Sequence, residues 1–303
     1  MKYLALLIFF NSTIIICKSQ TDVEYNKRGN AKYYLHDYFG AIQDYNKAIE
    51  LNPNYSPTYY YRGLTKNRMK DYAGAIQDFN KAIEINPDSA NYYNNRGISK
   101  HYLQKFTEAI QDFNKAIQLN LRFEKVYYNR GLSKNELQDF TGAIQDFNKA
   151  IEINPDTAYY YTDRGVSKKN LQDYLGAIQD YNKAIELNPN YSPTYYNRGL
   201  AKNKQKNYLG AIQDFNKAIQ INPDTAYYYT DRGVSKHYLH DFTRAIQDYN
   251  KAIELNSKYS VAYYNRGLSK LALGQKESAC LDFNKAGELG LKQAYKEIDK
   301  SCN

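Results

Sequence analysis

The sequence predicts an all-α protein, a solenoid of eight helix pairs closed by a C-terminal capping helix. Three observations carry that expectation. The phrase "AIQDYNKAIE" beginning at Ala41 returns in close copies at Ala75, Ala109, Ala143, Ala177, Ala211 and Ala245, and worn at Ala279, always 34 residues on. Within each period the recurring residues stand three, four and seven apart, the spacing of one helical face. Pro53, Pro87, Pro155, Pro189 and Pro223 follow the second segments, where proline cannot continue a helix. A fixed period overrides the domain count that 303 residues would suggest, and divides the chain into repeats 22–55, 56–89, 90–123, 124–157, 158–191, 192–225, 226–259 and 260–293.

In chain order, the first 19 residues differ in kind. Lys2 precedes the apolar run "YLALLIFF", and the stretch from Tyr3 to Cys17 is 15 residues with three polar ones inside, short of the ~20 of a spanning helix. It reads as a secretory signal peptide over 1–19, cleaved after Ser19. An uncleaved anchor or lipidation at Cys17 is the alternative, and either would be the chain's one membrane attachment. "TDVE" from Thr21 to Glu24 predicts a capping box on the first helix. Ser56-Pro57 and Ser192-Pro193 read as cap residues followed by proline at the first helical place.

Every repeat carries Tyr at its fourth place (Tyr25 to Tyr263), Arg-Gly at its seventh and eighth (Arg28-Gly29 to Arg266-Gly267), and Lys four beyond the Arg (Lys32 to Lys270). An Asp recurs in every second helix, from Asp44 to Asp282. An unpaired buried Arg is costly, so the invariant Arg and Asp predict a ladder joining the two helices. An Arg row gripping an anion is the functional alternative. The Lys row reads as solvated, and Asn46-Lys47 with their copies as outer face or helix end. Beyond the last repeat, Leu291, Ala294, Tyr295, Ile298 and Cys302 fall on one stripe, a cap helix whose end covers 294–303. Cys280 stands where other repeats carry an Ile facing their successor, so it faces that helix. A Cys280 to Cys302 disulfide is predicted, with two free buried thiols as the alternative.

Net charge is +9, or +7 without Lys2 and Lys18, but the excess is written into each repeat and no Lys/Arg run exceeds two. That argues against nucleic acid, whose binders cluster their charge on one face. No catalytic constellation is present. His237 and His240 are spaced to share a metal, but no further ligand completes a set, and no cofactor or metal is expected.

The residues quoted above resemble the tetratricopeptide repeat (TPR) pattern, Trp-x2-Leu-Gly-x2-Tyr followed by Ala-x3-Phe, Ala and Pro over 34 residues. Here Tyr replaces the Trp, Arg the Leu and Lys the Tyr. The resemblance implies a right-handed α-α superhelical solenoid whose first helices line a concave groove. Carried over by position, the groove candidates are Asn26, Tyr60, Arg68, Asn94, Tyr102, Tyr128, Lys169, Tyr196, Lys204, Tyr238 and Tyr264. The family's Lys/Asn clamp for chaperone tails is not written, because its central places hold Leu64, Ile98, Leu132, Val166, Leu200, Val234 and Leu268. With Glu136 the one obvious acid, the lining favours a neutral to acidic extended peptide or protein partner. The function expected is an exported, non-enzymatic scaffold. The alternative is an envelope component that associates with itself or with glycans.

Overall fold

The computed structural model describes residues 21–119 and 124–302, so the leader and Cys17 lie outside the described residues. The described residues hold 17 α-helices and no strand, an all-α helical-repeat fold. They divide into two compact units, one up to Lys105 and one from Phe106.

The N-terminal unit contains α1 (Asp22–Tyr34), α2 (Tyr38–Leu51), α3 (Ser56–Arg68), α4 (Tyr72–Ile85) and α5 (Ala90–Tyr102). Each helix packs on the one before it, and the first helices of successive repeats also touch. Thr21 and Glu24 close the capping box: Thr21 Oγ1 accepts from Glu24 N at 3.2 Å and Glu24 Oε2 from Thr21 N at 3.0 Å. Asp37 and Asp71 cap α2 and α4 through the amides of Gly40 and Gly74, both at 2.9 Å. One place earlier, His36 and Lys70 take φ values of 64° and 62°. A left-handed residue satisfies the last carbonyls of the first helix, and the Asp then starts the second.

Ser56 is not a cap. Tyr55 occupies that position in α3, and Ser56 lies buried 3.2 Å from the Tyr92 hydroxyl. The Ser192 copy behaves alike, with Tyr191 at the cap and Tyr228 donating to Ser192. A small hydroxyl at the first helical place is used to join repeats two helices apart.

The C-terminal unit contains α6 (Phe106–Leu119), α7 (Glu124–Glu136), α8 (Phe140–Ile153), α9 (Ala158–Asn170), α10 (Tyr174–Leu187), α11 (Ser192–Lys204), α12 (Tyr208–Ile221), α13 (Ala226–Tyr238), α14 (Phe242–Leu255), α15 (Ser260–Ala272), α16 (Lys276–Glu288) and α17 (Gln293–Ser301). Its core is thin. The alanines of "AIQD" and "NKAI" are fully buried, and the ring between them (Phe147, Tyr181, Phe215, Tyr249, Phe283) fills the space against the preceding helix. Gly165 is what lets that ring in, since a Cβ there would lie 2.7 Å from Tyr181 Cε1. The last repeat's helical pair ends at Glu288, and α17 begins at Gln293. Ala294, Leu291 and Ile298 pack with Tyr264, Phe283 and Ala286, whereas Tyr295 is largely exposed. Cys280 and Cys302 are joined by a disulfide, with Cα atoms 5.8 Å apart.

The Arg and Asp rows form the ladder. Arg164 donates through Nε and Nη2 to the two oxygens of Asp180 at 2.9 and 2.5 Å, and Arg62 does the same to Asp78. The third arm reaches back to the preceding repeat: Arg164 Nη1 donates to Asn148 at 2.7 Å and Arg62 Nη1 to Asn46 at 2.7 Å. The guanidinium also lies over its own repeat's Tyr, 5.4 Å from the Tyr161 ring centroid. Arg28 holds Asp44 in the same way through Nε and Nη2. Its side chain is 42% exposed against 18% for Arg164. The Arg row is therefore consumed in joining helices, and the Asn row is the acceptor between repeats.

The Lys row is not solvated, contrary to the sequence reading. Lys66 and Lys168 each lie 2.8 Å from the second oxygen of Asp78 and Asp180. The antiparallel second helix brings that oxygen to a residue one turn beyond the Arg. Lys149 with Glu152 does sit on the outer surface, as expected for the "NK" step.

Among the described residues, the Tyr181 hydroxyl is the one buried side-chain polar atom with no partner. Its equivalents have one: the Tyr45 hydroxyl donates to Asn30 at 2.8 Å and meets Thr65, and the Tyr249 hydroxyl meets Ser269. The residue matching Thr65 and Ser269 in the repeat after Tyr181 is Ala201. An unsatisfied buried hydroxyl costs on the order of 1 to 3 kcal/mol. Tyr181→Phe should raise stability by about 1 kcal/mol in urea unfolding, and Ala201→Ser should give a similar gain. The double variant should gain less than the sum. A Tyr181→Phe protein that unfolds at lower urea would show that the hydroxyl is satisfied in solution.

Candidate functional site

The first helices carry the variable residues, and each unit presents its own face. In the N-terminal unit Asn26 and Asn94 are buried. Asn26 accepts from the Thr58 hydroxyl at 2.7 Å and donates to the Asp22 carbonyl at 2.9 Å. Both are packing residues, which removes them from the ligand set. Tyr60 is half-buried, tilted on Tyr92 at 5.0 Å, and its hydroxyl accepts from Asn95 Nδ2 at 3.3 Å. Burial pushes its pKa up to about 12. Arg68 is exposed and donates to Tyr33 at 3.3 Å. Tyr102 is exposed and stacks on Tyr72 at 4.8 Å. Leu64, Asn67, Arg68, Lys70, Tyr72 and Tyr102 thus border one open groove.

In the C-terminal unit the corresponding groove is bordered by Leu200, Asn203, Lys204, Lys206, Tyr208 and Tyr238, with Asp231 and Val234 on its floor. Tyr208 and Tyr238 are stacked at 5.0 Å. Asn203 Oδ1 accepts from Ser235 at 2.9 Å, which turns its amide donors outward. Tyr264 does not belong here. It is buried under α17 and accepts from Gln293 Nε2 at 3.0 Å.

The most distinctive feature of this face is a polar seam along α7, α9, α11 and α13. Tyr128 on α7 donates to Asp163 on α9 at 2.7 Å, and Tyr196 on α11 donates to Asp231 on α13 at 2.8 Å. Between these two pairs, Lys169 on α9 donates to Asn197 on α11 at 2.8 Å. Tyr128 and Tyr196 each contact two further tyrosines, Tyr159 with Tyr160 and Tyr227 with Tyr228, at 4.9 to 5.0 Å between centroids. Tyr159 and Tyr227 are each 43% exposed, so the edge of the seam is open.

Neither Asp163 nor Asp231 has a Lys or Arg nitrogen within 4 Å among the described residues, although every "AIQD" aspartate paired above has two. Burial pushes the Asp163 carboxyl up to about 6 against the opposing pull of the Tyr128 hydrogen bond. Asp231 is raised by burial too, with the Tyr196 hydrogen bond and then Lys169 opposing. Burial lowers the Lys169 ammonium, while the charge of Asp231 supports it. These two acids escaped the sequence reading, which found Glu136 alone. They lie one residue before the invariant Arg, in the string "TDRG", which occurs twice in the chain.

A carboxyl raised on folding binds its proton more tightly in the native state, so its ionisation costs stability. The cost is absent below the unfolded pKa near 4 and full above about 6. Asp163→Asn should therefore stabilise the protein by on the order of 2 kcal/mol at pH 8. The gain should vanish by pH 4 in parallel urea titrations. A gain independent of pH would place the effect elsewhere.

His237 sits against Phe242 with Nδ1 2.8 Å from the Ser269 hydroxyl. Among the described residues no three His, Cys, Asp or Glu side chains gather as a metal site.

Stacked antiparallel helix pairs with a scaffold repeated from pair to pair and a variable first-helix face define a class, the repeat proteins that serve as protein-interaction scaffolds and are typically non-catalytic. Models described as "Tetratricopeptide repeat" match residues 23–55, 56–89, 90–123, 124–157, 192–225 and 260–289, and one described as "TPR repeat" matches 168–206 and 236–274. The chain belongs to the tetratricopeptide-repeat family. Among solved structures it is similar to a tetratricopeptide repeat protein from Parabacteroides merdae (TM-score 0.64, 24% identity, 82% of this chain and 99% of that one). It is also similar to MamA (0.52, 26%, 55% and 91%) and to YrrB, described as a TPR protein with an unusual peptide-binding site (0.52, 22%, 61% and 95%). No curated protein sequence matches the chain.

Proposed function

We propose that this protein is an exported, non-enzymatic scaffold that binds an extended peptide segment of a partner protein across the first-helix face of its C-terminal unit. The observation that carries the reading is the face of α7 to α13, where two tyrosine–aspartate pairs run beside an open groove lined by Asn203, Tyr208, Asp231 and Tyr238. Tyrosine supplies large contact area at low entropy cost, and asparagine amides pair with an extended backbone. The peptide-binding site named for YrrB supports the reading by likeness of fold. Export is supported by the sequence of the first 19 residues and by the disulfide, which persists in oxidising compartments.

Placing a photo-crosslinking amino acid at Tyr227, which is exposed at the seam edge, and irradiating intact cells should capture a polypeptide in the fraction outside the cytoplasm. Adducts only with a second copy of the chain, or only with glycan, would favour the self-assembling envelope component instead.

A further inference from the structure

The seam carries a charge pattern that singles out what the bound peptide presents to it. Asp163 and Asp231 are half-buried carboxylates, each with a tyrosine hydroxyl on one oxygen and no basic partner within salt-bridge distance. Leaving an ionised carboxylate desolvated and unpaired is costly, and the neighbouring repeats show that this scaffold pairs its buried aspartates wherever they serve packing alone. Each of the two carboxylates accepts from a tyrosine whose ring meets a second, partly exposed tyrosine: Tyr128 with Tyr159 at Asp163, and Tyr196 with Tyr227 at Asp231. A carboxylate with tyrosine rings close by can receive a guanidinium or ammonium group through an ion pair supported by cation–π contact.

The Tyr181 hydroxyl is a second polar group left without a partner, buried, with Asp163 the strongest charge acting on it.

We propose that Asp163 and Asp231 are the recognition points for two basic side chains of the bound peptide, with Asp163 the stronger. This rests on the peptide-binding reading above and reverses the neutral-to-acidic ligand expected from the sequence. Lys169 lies near Asp231 and offsets part of its charge, and Lys204 and Lys206 border the same groove, which ranks Asp231 second. Helices α9, α11 and α13 touch in succession, and packed helices stand about 8 to 10 Å apart. The carboxylates are therefore roughly 20 Å apart along the face, the span of about six residues of extended chain.

The test uses the full chain and a blocked ten-residue Gly/Ser peptide carrying two arginines six residues apart, beside counterparts with two citrullines or two glutamates in their place. Calorimetric titration should show the arginine peptide binding at least tenfold more tightly than either counterpart. Asp163→Asn should remove at least tenfold of that affinity, and Asp231→Asn less. No arginine binding, equal binding of arginine and citrulline peptides, or an Asp163→Asn protein with unchanged affinity would each overturn the proposal. Tight binding of the citrulline or glutamate peptide would do so while leaving the groove a peptide site. The crosslinking at Tyr227 tests that reading separately.

Discussion

Asp180→Ala should cost about 3 kcal/mol of stability, several times the cost of deleting any outer-surface charge. Asp180 is buried and holds two cations at once, Arg164 on both oxygens and Lys168 on the second at 2.8 Å. Removing it leaves two positive groups close together with side-chain exposures of 18% and 21%, too little for water to replace the carboxylate. Orphaning a buried ion costs about 3 to 5 kcal/mol, and the residual exposure of both cations argues for the lower end. The damage should spread, because Arg164 also reaches Asn148 and so holds the preceding repeat. Glu186→Ala is the control. It removes the acid of an exposed pair 3.2 Å from Lys183, worth less than about 0.5 kcal/mol. Equal losses for the two variants in urea unfolding would show that the ladder contributes no more than an outer ion pair.

Reducing the Cys280 to Cys302 disulfide, or replacing Cys302 with Ser, should remove about 3 kcal/mol from the C-terminal end. The bond closes 22 residues, and the chain entropy it withholds from the open state is about 3 kcal/mol for a loop of that size. What it holds is α17, a nine-residue helix too short to be stable alone. That helix and the turn before it cover Phe283, Ala286 and Tyr264 with little more than Leu291, Ala294 and Ile298. Hydrogen exchange should therefore quicken in α17 and the adjoining face of α15 and α16. Repeats as far away as α9 should not respond, because contacts in such a stack are between neighbours. A uniform loss of protection along the chain, or none at α17, would contradict this.

Much of this was legible from residues alone, for a physical reason. A residue that every repeat needs is written in every repeat, so the helix pairs and the Arg/Asp ladder could be read by comparing the chain with itself, while the capping box at Thr21 shows in its local motif. The errors fell where two residues meet only after the helices pair. Lys168 looks solvated on its own helix and finds Asp180 only through the antiparallel turn. Ser56 looks like a cap until Tyr92, two helices on, claims it. Asn26, Asn94 and Tyr264 occupy groove places by position, but Thr58 occupies Asn26, burial encloses Asn94, and α17 covers Tyr264. Asp163 and Asp231 were hidden differently, since copying alone could account for a string that occurs twice. Only their isolation from Lys and Arg in three dimensions gives them meaning.

The joint between repeats has a consequence for how such a chain can change length. At the joints between successive repeats, as at Arg164, Arg198 and Arg232, the arginine takes the asparagine of the copy before it. An insertion of one whole 34-residue copy supplies both halves and leaves every old joint intact, whatever its neighbours. An insertion out of phase would strand a guanidinium at the seam. The chain is thus tolerant of growth in quanta and intolerant of anything between.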